Sequence, residues 1–101
     1  MLELSESQIQ KNIIEFLNMS GVLHWRNNTG RRGKVSYGCK GSPDIICVHG
    51  GRFIGIEVKD KKGKMSADQI EFRERLEHSG GIYILARDTD TVVDILYGLR
   101  R

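Results

Sequence analysis

Three charged side chains stand at the ends of two apolar runs. Asp44 opens Ile45-Ile46-Cys47-Val48, and Glu57 and Lys59 close Phe53-Ile54-Gly55-Ile56, with Val58 between them. Gly50-Gly51 separates the runs, and Gly-Gly suits the positive φ angles of a two-residue hairpin turn. Centred there, the pairing sets His49 against Arg52, Val48 against Phe53, Ile46 against Gly55 and Asp44 against Glu57. The two carboxylates then lie opposite each other, with Cβ atoms roughly 5 Å apart. Side-chain alternation puts Lys59 on their face and Ile54, Ile56 and Val58 on the other, toward a core. Opposed carboxylates repel. A hard divalent cation reverses the sign, because Mg²⁺ prefers carboxylate oxygens and a few waters. One reading is therefore a metal site with a lysine beside it. The other is an exposed ion-pair cluster, Glu57 between Lys59 and Lys40, with Asp44 capping a turn after Pro43.

The elements that must carry these residues follow from periodicity. Ser5 to about Ser20 reads as a helix with Ile9, Ile13, Phe16 and Leu17 on one stripe, broadened by Ile14. Ser5 and Gln8 make a capping box, Leu4 and Ile9 the matching staple, and Gly21 a stop. Val22 to Arg26 reads as a strand. "NNTGRRGKVSYGCKGS" is Gly- and Asn-rich and reads as a long loop. After the hairpin, Ser66 and Gln69 repeat the capping box, with Met65 and Ile70 as staple. Ile70, Phe72 and Leu76 give that helix part of an apolar face, and Gly80-Gly81 stops it. Ile82 to Ala86 is a further strand, and Thr89 to Leu99 a short helix. The expected order is α-β-β-β-α-β-α: an α/β fold, a small mixed sheet flanked by helices.

The chain has 101 residues, 39% hydrophobic and 29% charged, which suits one globular domain. No apolar run approaches the roughly 18 residues of a membrane span. "MLELSESQIQ" has neither the basic nor the apolar part of a secretory leader, so a cytoplasmic location, in a bacterial or phage-infected cell, is expected. Cys39 and Cys47 are expected to be reduced, one in a loop and one in the core. The net charge is +3, but no acid lies between Gly21 and Pro43, a segment holding Arg26, Arg31, Arg32, Lys34 and Lys40. Lys59, Lys61, Lys62 and Lys64 form a second basic group. Such local fields attract polyanions, nucleic acid first among them. Trp25 and Tyr37 are placed to stack on unpaired bases, although a strand tryptophan is expected in the core.

Pro43-Asp44 followed by Glu57-Val58-Lys59 resembles the PD-(D/E)xK nuclease signature. The stretch "GSPDIICVHGGRFIGIEVKDKKGKMSADQIEF" narrows the resemblance to the virus-type replication-repair nuclease domain, VRR-NUC. The resemblance runs from the first helix to about Ala86 and implies a restriction-endonuclease-like core. It implies that Asp44 and Glu57 bind a catalytic Mg²⁺ or Mn²⁺ with help from the Val58 carbonyl, and that Lys59 orients the attacking water or holds the phosphate. It places Gln69 beside the site, and an acid from the first helix at Glu6, or a side chain at Gln10 one turn later. Arg26, Arg31, Arg32, Lys34, Lys40, Lys61 and Lys62 would contact DNA. Standalone members resemble Holliday-junction resolvases, so the resemblance implies a homodimer cutting branched DNA; Leu96, Tyr97 and Leu99 are candidates for its interface. The alternatives are a nuclease for flaps or plain duplex, or a nucleic-acid-binding module without activity. A P-loop in "TGRRGKVSYG" fails, because Val35 follows Gly-Lys where a hydroxyl residue is needed. A base-specific restriction enzyme would need inserted reading loops, and this chain leaves little room for them.

Overall fold

A helix stop and a glycine turn set the frame. In the computed structural model, which describes residues 3–27, 30–32, 35–37 and 39–99, with side chains described outside 28–38, α1 spans Glu6–Met19. Ser5 and Gln8 close the capping box at its start. Gly21 (φ 68°) ends it, with Gly21 N–H donating to Asn18 and Val22 N–H to Leu17, the paired bonds of a Schellman stop. β1 (Leu23–Arg26) follows, then β2 (Gly30–Arg32) and β3 (Val35–Tyr37), β4 (Ile45–His49) and β5 (Arg52–Val58). α2 (Ala67–His78), β6 (Ile82–Ala86) and α3 (Thr89–Gly98) complete the chain.

The principal sheet has four strands in the order β1-β4-β5-β6, with β5 and β6 parallel and the other pairs antiparallel. It is mixed, flanked by helices, and follows the expected order. The β4–β5 register is the one Gly50-Gly51 dictates: His49 pairs with Arg52, Val48 with Phe53 and Ile46 with Gly55. Both glycines take positive φ, 60° and 75°, as a type I′ turn requires. One addition departs from the expected long loop. β2 and β3 pair as a small separate hairpin, Gly30 with Tyr37 and Arg32 with Val35. In the sequence Gly33-Lys34 stands between the two strands, and a two-residue step starting with glycine is a hairpin signal in its own right.

The two faces of the sheet differ. Ile45, Cys47, Ile54, Ile56, Val58, Ile84 and Ala86 form one core with Ile9, Ile13 and Leu17 of α1 and Val92 and Leu96 of α3. Each fully buried isoleucine contributes about 1.5–3 kcal/mol by leaving water. The opposite face carries Ile46, Gly55, Glu57 and Tyr83 and is only partly covered, by α2. That helix buries none of its residues fully: Phe72 and Leu76 are half-buried and Ile70 is exposed. Its expected apolar face is thus thin. Trp25 is 46% exposed on this open face, with Leu23, Val48 and Phe53 also exposed. The core position expected for Trp25 is therefore incorrect. Its strand is at the sheet edge, and alternation turns it away from α1 and α3. Of the proposed interface residues, Leu96 is core, Leu99 packs against it and Tyr97 is exposed. Both cysteines are free, Cys47 buried and Cys39 exposed. Among the described residues no helix is long and apolar enough to cross a membrane.

Candidate active site

The site forms where β4 begins and β5 ends, on the face that α2 covers. Asp44 stands one residue ahead of the β4 ladder and is fixed from both sides. Its carbonyl accepts from the Asn27 N–H at 2.8 Å. Its carboxylate Oδ2 accepts from the Val58 N–H at 2.8 Å. Asn27 also clamps the lead-in, its Nδ2 donating to Ser42 Oγ at 2.7 Å and to the Pro43 carbonyl at 3.0 Å. Pro43 is fully buried over Gly55, where an added Cβ would come within 2.5 Å of its Cγ. Gly55 is therefore what lets the proline ring, and Asp44 behind it, lie close to β5. A second close approach holds α2. Gly41 (φ 77°) lies so near the Asp68 carbonyl that any Cβ there would collide with it.

Glu57 is the one buried charged residue among those described, 3% exposed. Gln69 Nε2 donates to its Oε2 at 3.1 Å, and Lys59 Nζ lies 3.8 Å from the same oxygen. Oε1 is buried with no hydrogen-bond partner. Burial pushes the Glu57 carboxyl up to about 8; the neighbouring Asp44 carboxyl and, more weakly, the Glu6 charge add to this, against Lys59. The cause is desolvation first and like charge second, and one lysine does not offset both. Two carboxyls brought together in this way either share a proton or hold a cation.

Gln69 does two tasks with one amide. Its oxygen accepts from the Ser66 N–H at 2.8 Å, closing the capping box of α2, while its nitrogen reaches Glu57. The structural and the site roles, alternatives in the sequence, coexist. Lys59 is largely buried along its stem, with its side chain 14% exposed. Asp60 shapes the loop beyond by accepting from the Lys62 and Gly63 N–H groups. Glu6 is exposed in the first turn of α1, and Gln10 is half-buried one turn on.

Lys40 does not reach Glu57. It pairs with Asp68 at 3.4 Å at the surface, so the expected alternative of an exposed cluster around Glu57 does not form. Arg26, Lys40, Lys61 and Lys62 are exposed, with Lys61 near Glu3 at 3.6 Å. The side chains of Arg31, Arg32 and Tyr37, and Lys34 as a whole, lie outside the described residues.

Sequence reasoning missed Asn27 and Tyr83. Asn27 follows β1 with an amide, a residue type that commonly bonds backbone near turns. Tyr83 is 8% exposed on β6, paired with Gly55 and on the face of Glu57, and its hydroxyl is buried without a partner. Burial and the charges of Glu57 and Asp44 raise its pKa, with Arg73 opposing. A lone tyrosine in "IYILA" gives no hint of this, because the parallel β5–β6 register is a tertiary fact.

Asp44 and Glu57 supply the oxygen donors suited to a hard divalent ion, and the unpartnered Oε1 fits that use. Among the described residues no group of three or more His, Cys, Asp or Glu side chains could hold a metal. A divalent ion here would thus have two carboxylate side chains to bind, with other oxygens needed to complete its shell.

No protein-family model matches the chain, and no curated protein matches it. A solved structure described as a "VRR_NUC domain protein" does, with a TM-score of 0.69 at 19% identity, over 97% of this chain and 92% of that one. The chain shares the fold of that VRR-NUC domain structure, a small mixed sheet flanked by helices.

Proposed function

We propose that this protein is a metal-dependent nuclease that hydrolyses phosphodiester bonds in DNA. The observation that carries the reading is the meeting of Asp44 with a buried Glu57 that has one unpartnered oxygen, beside Lys59. Asp44 and Glu57 would hold Mg²⁺ or Mn²⁺, with the Val58 carbonyl as a third donor. The ion would supply charge neutralisation of the phosphate and activation of water. Lys59 places a positive charge where the transition state grows more negative. Gln69 keeps the Glu57 carboxylate from turning, and Glu6 adds negative charge that favours a cation. Arg26, Arg31, Arg32, Lys34, Lys40, Lys61 and Lys62 bind backbone phosphates and fix position rather than sequence.

The substrate we infer is branched DNA, cut by a homodimer. A two-fold dimer presents two sites to a two-fold junction, and the half-exposed Trp25 on the site's face suits contact with unpaired bases. The test is one cleavage assay over duplex, flap, single-stranded and four-way substrates, with and without Mg²⁺ or Mn²⁺, alongside light scattering for oligomeric state. Cutting of the four-way substrate by a dimer, only with metal, is expected. Preference for flap or duplex revises the substrate. Binding without cleavage under all conditions leaves the inactive DNA-binding module.

A further inference from the structure

We propose that Tyr83 is a positioning residue of this site: its hydroxyl donates to the oxygen atom, of water or of phosphate, that sits between it and Glu57 Oε1. The inference rests on the metal-site reading above and adds a member to the site that no part of the nuclease signature contains.

Two polar atoms in one region are buried without partners, Glu57 Oε1 and the Tyr83 hydroxyl. Unpaired buried groups cost about 1–3 kcal/mol each, so they persist where something else completes them. β6 runs parallel to β5, with Tyr83 beside Gly55 and Leu85 beside Glu57. Tyr83 and Glu57 are thus diagonal neighbours on the same face, a separation long aromatic side chains can bridge. Tyr83 is more than nine-tenths buried, and its hydroxyl oxygen is itself buried. The two atoms are complementary: an ionised carboxylate oxygen only accepts, and a phenol donates. Direct pairing between them does not occur, and an oxygen held between them satisfies both. The ring is carried by a sheet strand, so the hydroxyl oxygen is in place before any ligand arrives. Arg73, one turn beyond Gln69 on α2, is half-buried, reaches Met65 Sδ from its Nη1 at 3.7 Å, and makes its charge felt at Tyr83. A cation there favours an anionic oxygen such as that of a phosphate.

The test uses the full chain and the variant Tyr83→Phe, which keeps the ring. Urea melts in EDTA and calorimetric titration with Mn²⁺ are run on wild type, Tyr83→Phe and Glu57→Gln. Removing a hydroxyl that has no protein partner should leave metal-free stability unchanged or raised. Mn²⁺ affinity should fall about tenfold, the usual loss when a hydrogen bond outside the ligand set is removed, and kcat should fall with KM for DNA unchanged. A metal-free Tyr83→Phe that is clearly less stable means the hydroxyl already pairs within the protein, and overturns the inference. Wild-type Mn²⁺ affinity in Tyr83→Phe with loss in Glu57→Gln overturns it while leaving the metal site standing. Absence of Mn²⁺ binding by the wild type overturns the metal reading and this inference together.

Discussion

The carboxylate of Asp44 takes the hydrogen bond of the Val58 backbone N–H, at 2.8 Å. A side chain at the start of one strand thereby satisfies a backbone group at the end of its neighbour. The pairing of β4 with β5 ends at Ile45 and Ile56, and this bond extends the link by a further step. It also commits one oxygen of Asp44 to the backbone.

Asp44→Ala removes that acceptor and strands a buried N–H, which should cost about 1–3 kcal/mol in a urea melt. Asp44→Asn keeps an oxygen for Val58 and should lose much less. Both should cut DNA at least about a hundredfold more slowly, the scale of losing one electrostatic contact to the transition state. Equal destabilisation by Asn and Ala would mean that the hydrogen bond is not what anchors this residue.

If the proposed role is right, Lys59→Ala should lower kcat by about 10²–10³ with little change in KM for DNA, because a charge held beside Glu57 would act at the reacting phosphate rather than on the wider duplex. Single-turnover cleavage with saturating enzyme measures this. A large rise in KM with normal kcat would make Lys59 an ordinary phosphate contact.

The Glu57 carboxyl sits at about 8 in the fold against an ordinary value of 4.5. Between those values the native protein holds a proton that the unfolded chain releases. Metal-free stability therefore has this contribution in full below about pH 4.5 and loses it as the pH rises through 8. Urea melts in EDTA at several pH values should show the decline, and Glu57→Gln should flatten it.

DNA binding should weaken steeply with salt, since each neutralised phosphate adds about 0.9 to the slope of log affinity against log salt. Arg31→Ala combined with Arg32→Ala should reduce that slope by about 2. Filter binding between low and moderate salt is sufficient. An unchanged slope would move the DNA surface away from the β2–β3 hairpin.

Trp25 is the sole tryptophan, so its emission reports on its own surroundings. Single-stranded or branched DNA should quench it, and Trp25→Ala should weaken binding by about 1–3 kcal/mol. Thermal stability should change little, because the ring is 46% exposed. Unaltered emission on saturation with DNA would leave the ring unused in binding.

Local chemistry was legible before any coordinates. Gly50-Gly51 permits one tight register, and that register brings Asp44 to Glu57. The capping pairs Ser5-Gln8 and Ser66-Gln69 announced both helix starts, since each needs only residues three apart. What stayed hidden depends on distant neighbours. Trp25 looks like core because strand tryptophans usually are; only the strand order shows that β1 is an edge whose alternate face lacks a cover. The Gln69 amide could be given a cap or a site role, and nothing local reveals that its two ends do both. Tyr83 entered through a parallel pairing that α2 separates in sequence, and the clamp by Asn27 reaches 15 residues along the chain to Ser42.

Gly41 has no functional group, yet its bare α-carbon is what permits the second helix to settle over the acids. A methyl group there would press on the Asp68 carbonyl and tilt Gln69 away from its target. In a survey of random variants, this position should then score as intolerantly as the acids themselves. Geneticists reading such a map without coordinates would credit a glycine with chemistry it never performs.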